Sequence, residues 1–331
     1  MMYTVYRMPH LIILVGFQAS TKSTYCKKLL KRYPAAVTVS RDLLSTASKT
    51  ADCLAPVKAA LAAGKTVILD NTNLTVESRA PFIELGQKYD ATVDAIVMKT
   101  CIEDCQIRLL RRMWSDHGNI FLDGKGIGKA AKDPHVFPPA VLFKARKDYV
   151  EPEFEEGFDN ITIKTVRPIE WKDYTNKALF LDIDGTIRVT EHLEYKYPVC
   201  PDEVELLHPL KKMRAVLDKY IADGYKLIGV SNQSGIAKGI LTVEDADAAF
   251  EETRRQLEYN EEEFPILYCP HRSVPVSCYC RKPQSGMFIK ACEEWNINPG
   301  ESIMVGDMKT DETAAKRIGI KYIDVKKFWE M

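Results

Sequence analysis

Short apolar runs alternate with amphipathic helical patterns twice along the chain. In the first half the predicted strands are residues 11–15, 36–39, 66–69, 93–98 and 161–166, and the clearest predicted helices are residues 22–32 and 140–149. In the second half the predicted strands are residues 178–181, 226–230, 266–268, 302–305 and 321–325. Apolar strands separated by helices are typical of parallel sheets covered on both faces. We therefore expect an α/β protein with two three-layer parallel-sheet domains.

The length of 331 residues supports the same division, because a single core rarely organises so long a chain. We assign residues 1–167 to a first domain, residues 168–176 to a linker and residues 177–331 to a second domain. Residues 117–139 are rich in Gly, Lys, Asp and Pro and are predicted as a long loop. A long polar loop in a compact domain is usually functional or disordered.

The charge balance limits the possible partners. Lys and Arg total 46 and Asp and Glu total 46, so the formal net charge is zero. Proteins that bind nucleic acid nonspecifically are strongly basic, so a nucleic-acid partner would be bound at a local site. The apolar runs are too short to span a bilayer and no signal-peptide pattern opens the chain, so we expect a cytoplasmic protein without membrane contact. The nine cysteines are mostly scattered and indicate no disulfide framework.

The first candidate site follows the first predicted strand. Residues 16–24 read Gly-Phe-Gln-Ala-Ser-Thr-Lys-Ser-Thr and lead into a predicted helix, as in a P-loop. We expect ATP to be bound there by Gly16, Lys22, Ser23 and Thr24, with Lys22 at the outer phosphates and Ser23 at Mg²⁺. The pattern prefers glycine where Thr21 stands, and a Cβ is costly if that position needs a positive φ. The alternative is a plain strand-to-helix turn.

Charged residues near other predicted strand ends extend this site. Asp42 and Asp70 follow the second and third strands, at the edge where open α/β sheets bind ligands. Asp42 is a candidate general base for an attacking hydroxyl, and the alternative is a helix N-cap. Arg108, Arg111 and Arg112 share one predicted helix, and Arg108 and Arg112 are candidate ATP-phosphate ligands. The alternative for each arginine is a solvated basic face.

These motifs resemble the kinase domain of phage-type polynucleotide kinase/phosphatases over residues 10–165. The resemblance is carried by residues 16–24, 41–42 and 70–73, by the helical arginines, and by residues 138–158. It implies that Lys22 and Ser23 hold ATP and its metal, that Asp42 is the general base, and that Arg112 is a lid arginine.

The second candidate site begins at Asp182-Ile183-Asp184-Gly185-Thr186, directly after a predicted strand. A carboxylate can attack phosphorus to form an aspartyl-phosphate, with a second carboxyl group as acid and base. Asp182 suits the nucleophile and Asp184 the acid/base. The remaining candidates also follow strands: Ser231, Asn232 and Lys282 as phosphate ligands, and Asp307 and Asp311 near Mg²⁺.

This set, in this order, resembles the haloacid dehalogenase-type phosphatases over residues 177–327. The resemblance implies that Asp182, Asp184 and Asp307 bind or frame Mg²⁺ and that Asp311 supports the metal. It also implies that Ser231 and Lys282 bind phosphate.

A cluster of metal-binding residue types lies between these motifs, at Cys269, His271, Cys278 and Cys280. Three thiolates and one imidazole form a complete tetrahedral Zn²⁺ set, which is typical of a structural site. The alternative is a group of ordinary cysteines. We expect zinc in the loop 269–280, where it would stiffen the segment that carries Lys282. The pattern Cys-x-His…Cys-x-Cys-Arg-Lys-Pro resembles the heptose-bisphosphate and histidinol-phosphate phosphatases.

These expectations combine into a bifunctional enzyme of nucleic-acid ends, DNA or RNA. The first domain would phosphorylate a 5′-hydroxyl with ATP and the second would hydrolyse a 3′-phosphate. One alternative is a small-molecule kinase fused to a phosphatase of a sugar or amino-alcohol phosphate, as the zinc loop suggests. Another is a working phosphatase joined to a P-loop module that binds nucleotide or strand without transfer, as Ala19 and Thr21 suggest.

Overall fold

The computed structural model describes residues 8–44, 50–130, 133 and 135–330. The chain forms two compact units. The first contains residues up to Leu109 together with Ala130–Ile169, and the second contains Leu110–Lys129 together with the chain from Glu170 onward. The main division falls next to the expected linker, whereas residues 110–129, which the sequence assigned to the first domain, are grouped with the second unit. Within the described residues, no helix is long and apolar enough to cross a membrane.

The first unit is built on a parallel five-stranded sheet in the order β2-β3-β1-β4-β5. Its strands are β1 (His10–Val15), β2 (Val37–Val39), β3 (Thr66–Leu69), β4 (Thr92–Lys99) and β5 (Asn160–Thr165). Its helices are α1 (Lys22–Arg32), α2 (Arg41–Leu44), α3 (Leu54–Ala62), α4 (Val76–Lys88), the start of α5 (Ile102–His117) and α7 (Pro139–Asp148). Strand β1 is buried on both faces: Leu11 and Ile13 pack into one hydrophobic cluster and Ile12 and Leu14 into another.

The second unit contains α6 (Gly124–Lys129) and another parallel five-stranded sheet, in the order β10-β9-β6-β7-β8. Its strands are β6 (Lys177–Leu181), β7 (Tyr225–Asn232), β8 (Ile266–Cys269), β9 (Ile303–Gly306) and β10 (Lys321–Asp324). Its other helices are α8 (Leu210–Ala222), α9 (Ser234–Lys238), α10 (Val243–Leu257), α11 (Gly286–Trp295), α12 (Lys309–Ile318) and α13 (Val325–Trp329). The two-sheet α/β architecture is confirmed.

The predicted strands all exist, with ends that shift by one or two residues. The segment 117–139 differs more, because the short helix α6 lies inside the predicted loop. Parallel pairing brings the carboxyl ends of neighbouring strands to one edge of each sheet. In the second unit Leu181 of β6 pairs with Val305 of β9, so the segments that follow these strands begin side by side. Both candidate sites lie at such an edge.

Candidate active sites

The loop between β1 and α1 wraps around the ammonium group of Lys22. Lys22 is buried and its Nζ donates to the carbonyl oxygens of Gly16 at 3.0 Å and Phe17 at 2.7 Å. The backbone N–H of Gly16 donates to the carbonyl of Thr72 at 3.0 Å, which ties the start of the loop to the segment after β3. A Cβ on Gly16 would lie 2.7 Å from the Ser20 hydroxyl oxygen, so this close approach requires glycine.

Two residues of this loop that are not glycine adopt left-handed backbone conformations. Ala19 has a φ of 58° and Thr21 has a φ of 69°. Thr21 therefore occupies the position where the motif prefers glycine, with the positive φ that makes a side chain costly. The left-handed region costs an L-residue on the order of 1–2 kcal/mol, and most for β-branched residues. The P-loop conformation is thus held against local backbone strain.

Ser23 is the second residue of helix α1 and lies near the carboxylate of Asp70, which follows β3. Burial raises the pKa of Asp70, while the neighbouring Ser23 hydroxyl and the charge of Lys22 act in the opposite direction. A hydroxyl and a carboxylate side by side are suitable oxygen ligands for a magnesium ion. The sequence placed Asp70 at this edge without giving it a role. Thr24, the other predicted ATP ligand, lies exposed in the first turn of α1.

Asp42 lies exposed on the four-residue helix α2, close enough to Asp70 for its charge to contribute to the raised pKa of that residue. The sequence left open that Asp42 caps helix α2, but a different residue, Ser40, makes the capping contact. The Ser40 hydroxyl accepts the N–H of Leu43 at 3.2 Å, which is the capping contact. The carboxylate of Asp42 is therefore not occupied by capping, and its role as general base stays a prediction.

The three arginines of α5 have different surroundings. Arg108 donates to the carbonyl of Arg167 at 2.8 Å and to the hydroxyl of Thr100 at 3.3 Å. Arg111 belongs to the second unit, where it donates to Glu293 at 2.9 Å and covers the Trp171 ring at 4.6 Å. Arg111 is thus a packing residue. Arg112 is half-buried in the segment grouped with the second unit. The ATP contacts of Arg108 and Arg112 stay predictions.

A buried ion pair that the sequence did not indicate supports the loop after β3. Arg79 of α4 is fully buried and binds Glu156 through two parallel contacts of 2.7 and 2.6 Å. The same guanidinium donates to the carbonyl oxygens of Asn73 and Val150 at 3.1 and 3.0 Å. Arg79 therefore fixes the segment 70–73 against the stretch that contains Glu156, with the bidentate geometry that makes arginine pairs strong.

In the second unit, Lys282 lies between two buried carboxylates at the carboxyl end of the sheet. Its Nζ is 2.5 Å from Asp182 Oδ1 and 2.7 Å from Asp311 Oδ1, and donates to the Val230 carbonyl at 2.6 Å. Burial raises the pKa of Asp182 well above its usual range, and Lys282 opposes that rise. Burial alone would lower the pKa of Lys282, but the charges of Asp182 and Asp311 outweigh this effect. The pKa of Lys282 is therefore raised, and the side chain stays charged. A fixed cation beside Asp182 suits a nucleophile that must approach an anionic phosphate.

The carboxylate of Asp184 is held apart from these groups by residues that the sequence did not indicate. Its Oδ1 accepts from Arg188 Nε at 2.7 Å, and its Oδ2 accepts from Gln233 Nε2 at 2.7 Å. Arg188 is 1% exposed and also donates to Thr253 at 3.2 Å and to the Ala249 carbonyl at 3.3 Å. An acid/base group needs a fixed orientation, and these two donors provide it.

Three of the four predicted magnesium carboxylates come together. One oxygen each from Asp182, Asp307 and Asp311 lies within 4.8 Å of the others, whereas the Asp184 carboxylate is not in this group. Two glycines make the approach possible: a Cβ on Gly185 would lie 2.6 Å from an Asp307 oxygen, and one on Gly306 would lie 2.5 Å from an Asp311 oxygen. Clustered carboxylate oxygens are the ligand type that Mg²⁺ prefers, so the residues present fit this ion.

The predicted phosphate ligands line the same pocket, which has a volume of about 380 Å³. Ser231 is buried and its hydroxyl accepts from Gln233 at 2.8 Å. Asn232 exchanges two hydrogen bonds with the backbone of Lys282, at 3.0 and 3.1 Å. This clamp fixes the segment that presents the lysine, so the Asn232 amide groups are engaged in positioning.

The cysteine and histidine side chains of the loop 269–280 converge on one point. One ligand atom each from Cys269, His271, Cys278 and Cys280 lies within 4.8 Å of the others. Nδ1 of His271 is 3.4 Å from the Cys269 sulfur and 3.3 Å from the Cys280 sulfur. Three sulfurs and one imidazole nitrogen leave no open position, so these residues fit a structural zinc ion.

The other nitrogen of this histidine faces Asp123, from the segment that precedes α6. His271 Nε2 is 3.4 Å from Asp123 Oδ2. Next to it, the Leu122 carbonyl accepts the N–H of Tyr279 at 2.7 Å. Histidines that bind metals commonly donate their second N–H to a carboxylate, which fixes the ring. No sequence pattern indicated this contact.

Comparisons with known proteins find a different family match in each half of the chain. Residues 11–120 match the model of an AAA domain, and residues 279–327 match a HAD-hydrolase-like model. A D-glycero-beta-D-manno-heptose-1,7-bisphosphate 7-phosphatase of Haemophilus ducreyi is 33% identical over 157 residues, covering 44% of this chain and 80% of the relative. One from Haemophilus influenzae is 37% identical over 155 residues, covering 44% and 78%. The solved Pnkp1/Rnl/Hen1 RNA repair complex is 20% identical with a TM-score of 0.32, over 97% of each chain.

Fold, sites and matches together define a P-loop kinase domain followed by a HAD-like phosphatase domain. Through this second domain, the chain belongs to the HAD-like family of the D-glycero-D-manno-heptose-1,7-bisphosphate 7-phosphatases.

Proposed function

We propose that the protein heals nucleic-acid ends, phosphorylating 5′-hydroxyls with ATP and hydrolysing 3′-phosphates. The observation that supports the proposal is that one chain carries two separate clusters of residues suited to phosphate-ester chemistry. One surrounds Lys22 and the Ser23–Asp70 pair, and the other surrounds Asp182 and Lys282. A strand break with a 5′-hydroxyl and a 3′-phosphate requires both reactions before it can be sealed.

In the kinase reaction the 5′-oxygen attacks the γ-phosphorus of ATP, and the bond to the β–γ bridging oxygen breaks to release ADP. Asp42 accepts the proton of the attacking hydroxyl, and its exposed position near Asp70 supports this role. Lys22 and the loop N–H groups stabilise the outer phosphates, with Thr24, Arg108 and Arg112 as further ATP ligands. A bound Mg²⁺ would be held by Ser23 and Asp70 and would neutralise phosphate charge.

In the phosphatase reaction an Asp182 oxygen attacks the 3′-phosphate and forms an aspartyl-phosphate. Asp184 protonates the leaving 3′-oxygen, then removes a proton from the water that hydrolyses the intermediate and returns phosphate. The contacts of Arg188 and Gln233 keep Asp184 oriented for both steps. Ser231 and Lys282 hold the phosphoryl oxygens. A Mg²⁺ held by Asp182, Asp307 and Asp311 would neutralise the phosphate, with Asp184 framing the site.

We also propose that Cys269, His271, Cys278 and Cys280 hold a structural zinc ion. The supporting observations are the convergence of four donors and the carboxylate of Asp123 behind the histidine. Cys280 is two residues before Lys282, so zinc would stiffen the segment that presents the phosphate-binding lysine.

One oligonucleotide that carries a 5′-hydroxyl and a 3′-phosphate tests both activities. We expect label from [γ-³²P]ATP at the 5′ end and free phosphate from the 3′ end. Lys22→Met should abolish only the labelling and Asp182→Asn only the release. A single substitution that abolished both reactions in a folded protein would contradict the two-site model.

A second candidate function is favoured by the relatives of the phosphatase domain. At 33% identity to a heptose-bisphosphate phosphatase, this domain is a candidate for a sugar phosphate substrate. Faster phosphate release from heptose bisphosphate than from a 3′-phosphorylated strand would favour this second candidate.

A third candidate is a P-loop domain that binds nucleotide or strand without transferring phosphate, and the backbone strain at Ala19 and Thr21 favours it. If the protein releases the 3′-phosphate but transfers no label to the 5′ end of the strand, the third candidate is favoured.

A further inference from the structure

The phosphatase pocket extends beyond the residues that the hydrolysis needs. Besides the catalytic groups, it is lined by the aromatic residues Tyr195 and Tyr197 and by the cations Lys196, Arg272 and Arg281. None of these five has a role in the proposed hydrolysis, and Arg272 and Arg281 belong to the segment after β8 that also carries Lys282. They lie where the part of the substrate behind its phosphate would be bound.

Tyr195 and Tyr197 form a stacked pair. Their ring centroids are 6.1 Å apart with an interplanar angle of 28°, and Tyr195 is 41% exposed. The hydroxyl oxygen of Tyr197 is buried without a hydrogen-bond partner among the described residues. Lys196 between them has a φ of 60°, a left-handed conformation that disfavours a side chain. Tyr197 is partly buried against the core, so the pair presents the exposed ring of Tyr195 to the pocket. An exposed ring backed by a second ring and kept at the cost of backbone strain is a feature that points to a ligand.

Apart from the four catalytic carboxylates, all charged residues that line the pocket are positive. Its acidic lining residues are Asp182, Asp184, Asp307 and Asp311, so every other charged residue that lines it is a cation. Arg272 and Arg281 each donate to one backbone carbonyl, of Ala237 at 3.2 Å and of His271 at 3.1 Å, which fixes them in place. Three cations outside the hydrolytic centre suit a substrate with a second anionic group near its phosphate.

We propose that Tyr195 and Tyr197 stack against the terminal nucleobase of a 3′-phosphorylated strand. Lys196, Arg272 and Arg281 then face the phosphodiester of the same nucleotide. The inference rests on the proposed 3′-phosphatase activity and gives it a basis for substrate selection. A second anion alone would also suit a sugar bisphosphate, but only a nucleotide brings a flat π-face to the tyrosines.

The test compares two strands of equal length that differ at the 3′-terminal nucleotide. One has a normal base and the other an abasic sugar, and both carry a 3′-phosphate. The measured quantity is the ratio of kcat/KM for the base-bearing strand to that for the abasic strand. This ratio does not depend on the fraction of folded enzyme, so partial misfolding of a variant does not affect it.

We expect the wild type to prefer the base-bearing strand. Removing one stacking partner typically weakens binding of a base by about 5- to 150-fold, so Tyr195→Ala and Tyr195→Leu should reduce the ratio by a factor in that range. Tyr195→Phe keeps the ring and should keep the ratio, and it serves as the matched control. A ratio near one in the wild type, or an unchanged ratio in the alanine and leucine variants, would overturn the stacking proposal alone. Absence of release from both strands, with release from heptose bisphosphate, would overturn the proposed function as well.

Discussion

Replacing Ala19 by glycine should stabilise the kinase domain, although glycine usually destabilises a folded chain. Ala19 has a φ of 58°, in the left-handed region where a Cβ collides with the backbone. Removing that Cβ relieves about 1–2 kcal/mol. The unfolded chain gains freedom with glycine, which costs about 0.4–1 kcal/mol. We therefore expect a net stabilisation of roughly 0.5–1 kcal/mol.

The same chemical change at Ala59 provides the matched control. Ala59 is exposed within helix α3, where the backbone is helical and glycine offers no relief. Ala59→Gly should destabilise the domain by about 1 kcal/mol, the usual difference in helix propensity. The two Ala→Gly variants should therefore differ by about 1.5–2 kcal/mol with opposite signs relative to the wild type.

Differential scanning calorimetry on the full chain measures the effect. For a domain of this size 1 kcal/mol corresponds to about 2–4 °C in Tm, so the transition of the first domain should rise for Ala19→Gly and fall for Ala59→Gly. ATP titration of both variants shows whether the relaxed loop still binds nucleotide. Equal decreases in Tm for the two variants would refute the strained loop, because they would mean that Ala19 adopts an ordinary conformation in solution.

Three further predictions concern the second domain. Asp182→Asn should abolish phosphate release while 5′-labelling continues, as measured on one doubly modified oligonucleotide; residual hydrolysis would rule out Asp182 as the nucleophile. Arg188→Met leaves the Asp184 carboxylate without its buried partner and should destabilise the domain by about 3 kcal/mol, as measured by urea denaturation; a cost below 1 kcal/mol would contradict the buried pair. Asp123→Asn should weaken zinc binding by about 10- to 100-fold in competition with a chelator, whereas the exposed Asp116→Asn should not; equal zinc affinities for both variants would show that Asp123 does not support His271.

The parts of the two sites that follow strands could be predicted from the sequence. Ser23, Asp182 and Asp307 lie at the strand or helix ends where the pattern placed them, since parallel strands bring their carboxyl ends to one edge. The need for a positive φ at Thr21 was also predictable, because the motif prefers glycine there. Local order along the chain determines these positions, so a single sequence contains the information.

The residues that orient the catalytic groups could not be predicted in this way. Arg79 and Glu156 are far apart in the sequence, and Arg188 appears as one arginine among many. Each gains its role from burial and from a partner that only tertiary packing supplies. A periodicity argument places a charged residue on a surface by default, whereas here Arg79 and Arg188 are almost fully buried.

The zinc loop shows why the expected domain boundary and the folded unit differ. The sequence divides the chain at residues 168–176, where composition changes, and this assigns residues 110–129 to the kinase half. In the second unit, however, the Leu122 carbonyl accepts the N–H of Tyr279, and the Asp123 carboxylate faces His271. Both partners, Tyr279 and His271, lie in the loop that carries the four metal-binding residues. A chain cut at the expected linker would lose both contacts while keeping every ligand. The smallest complete form of the second unit therefore includes a segment that precedes its first strand by about fifty residues.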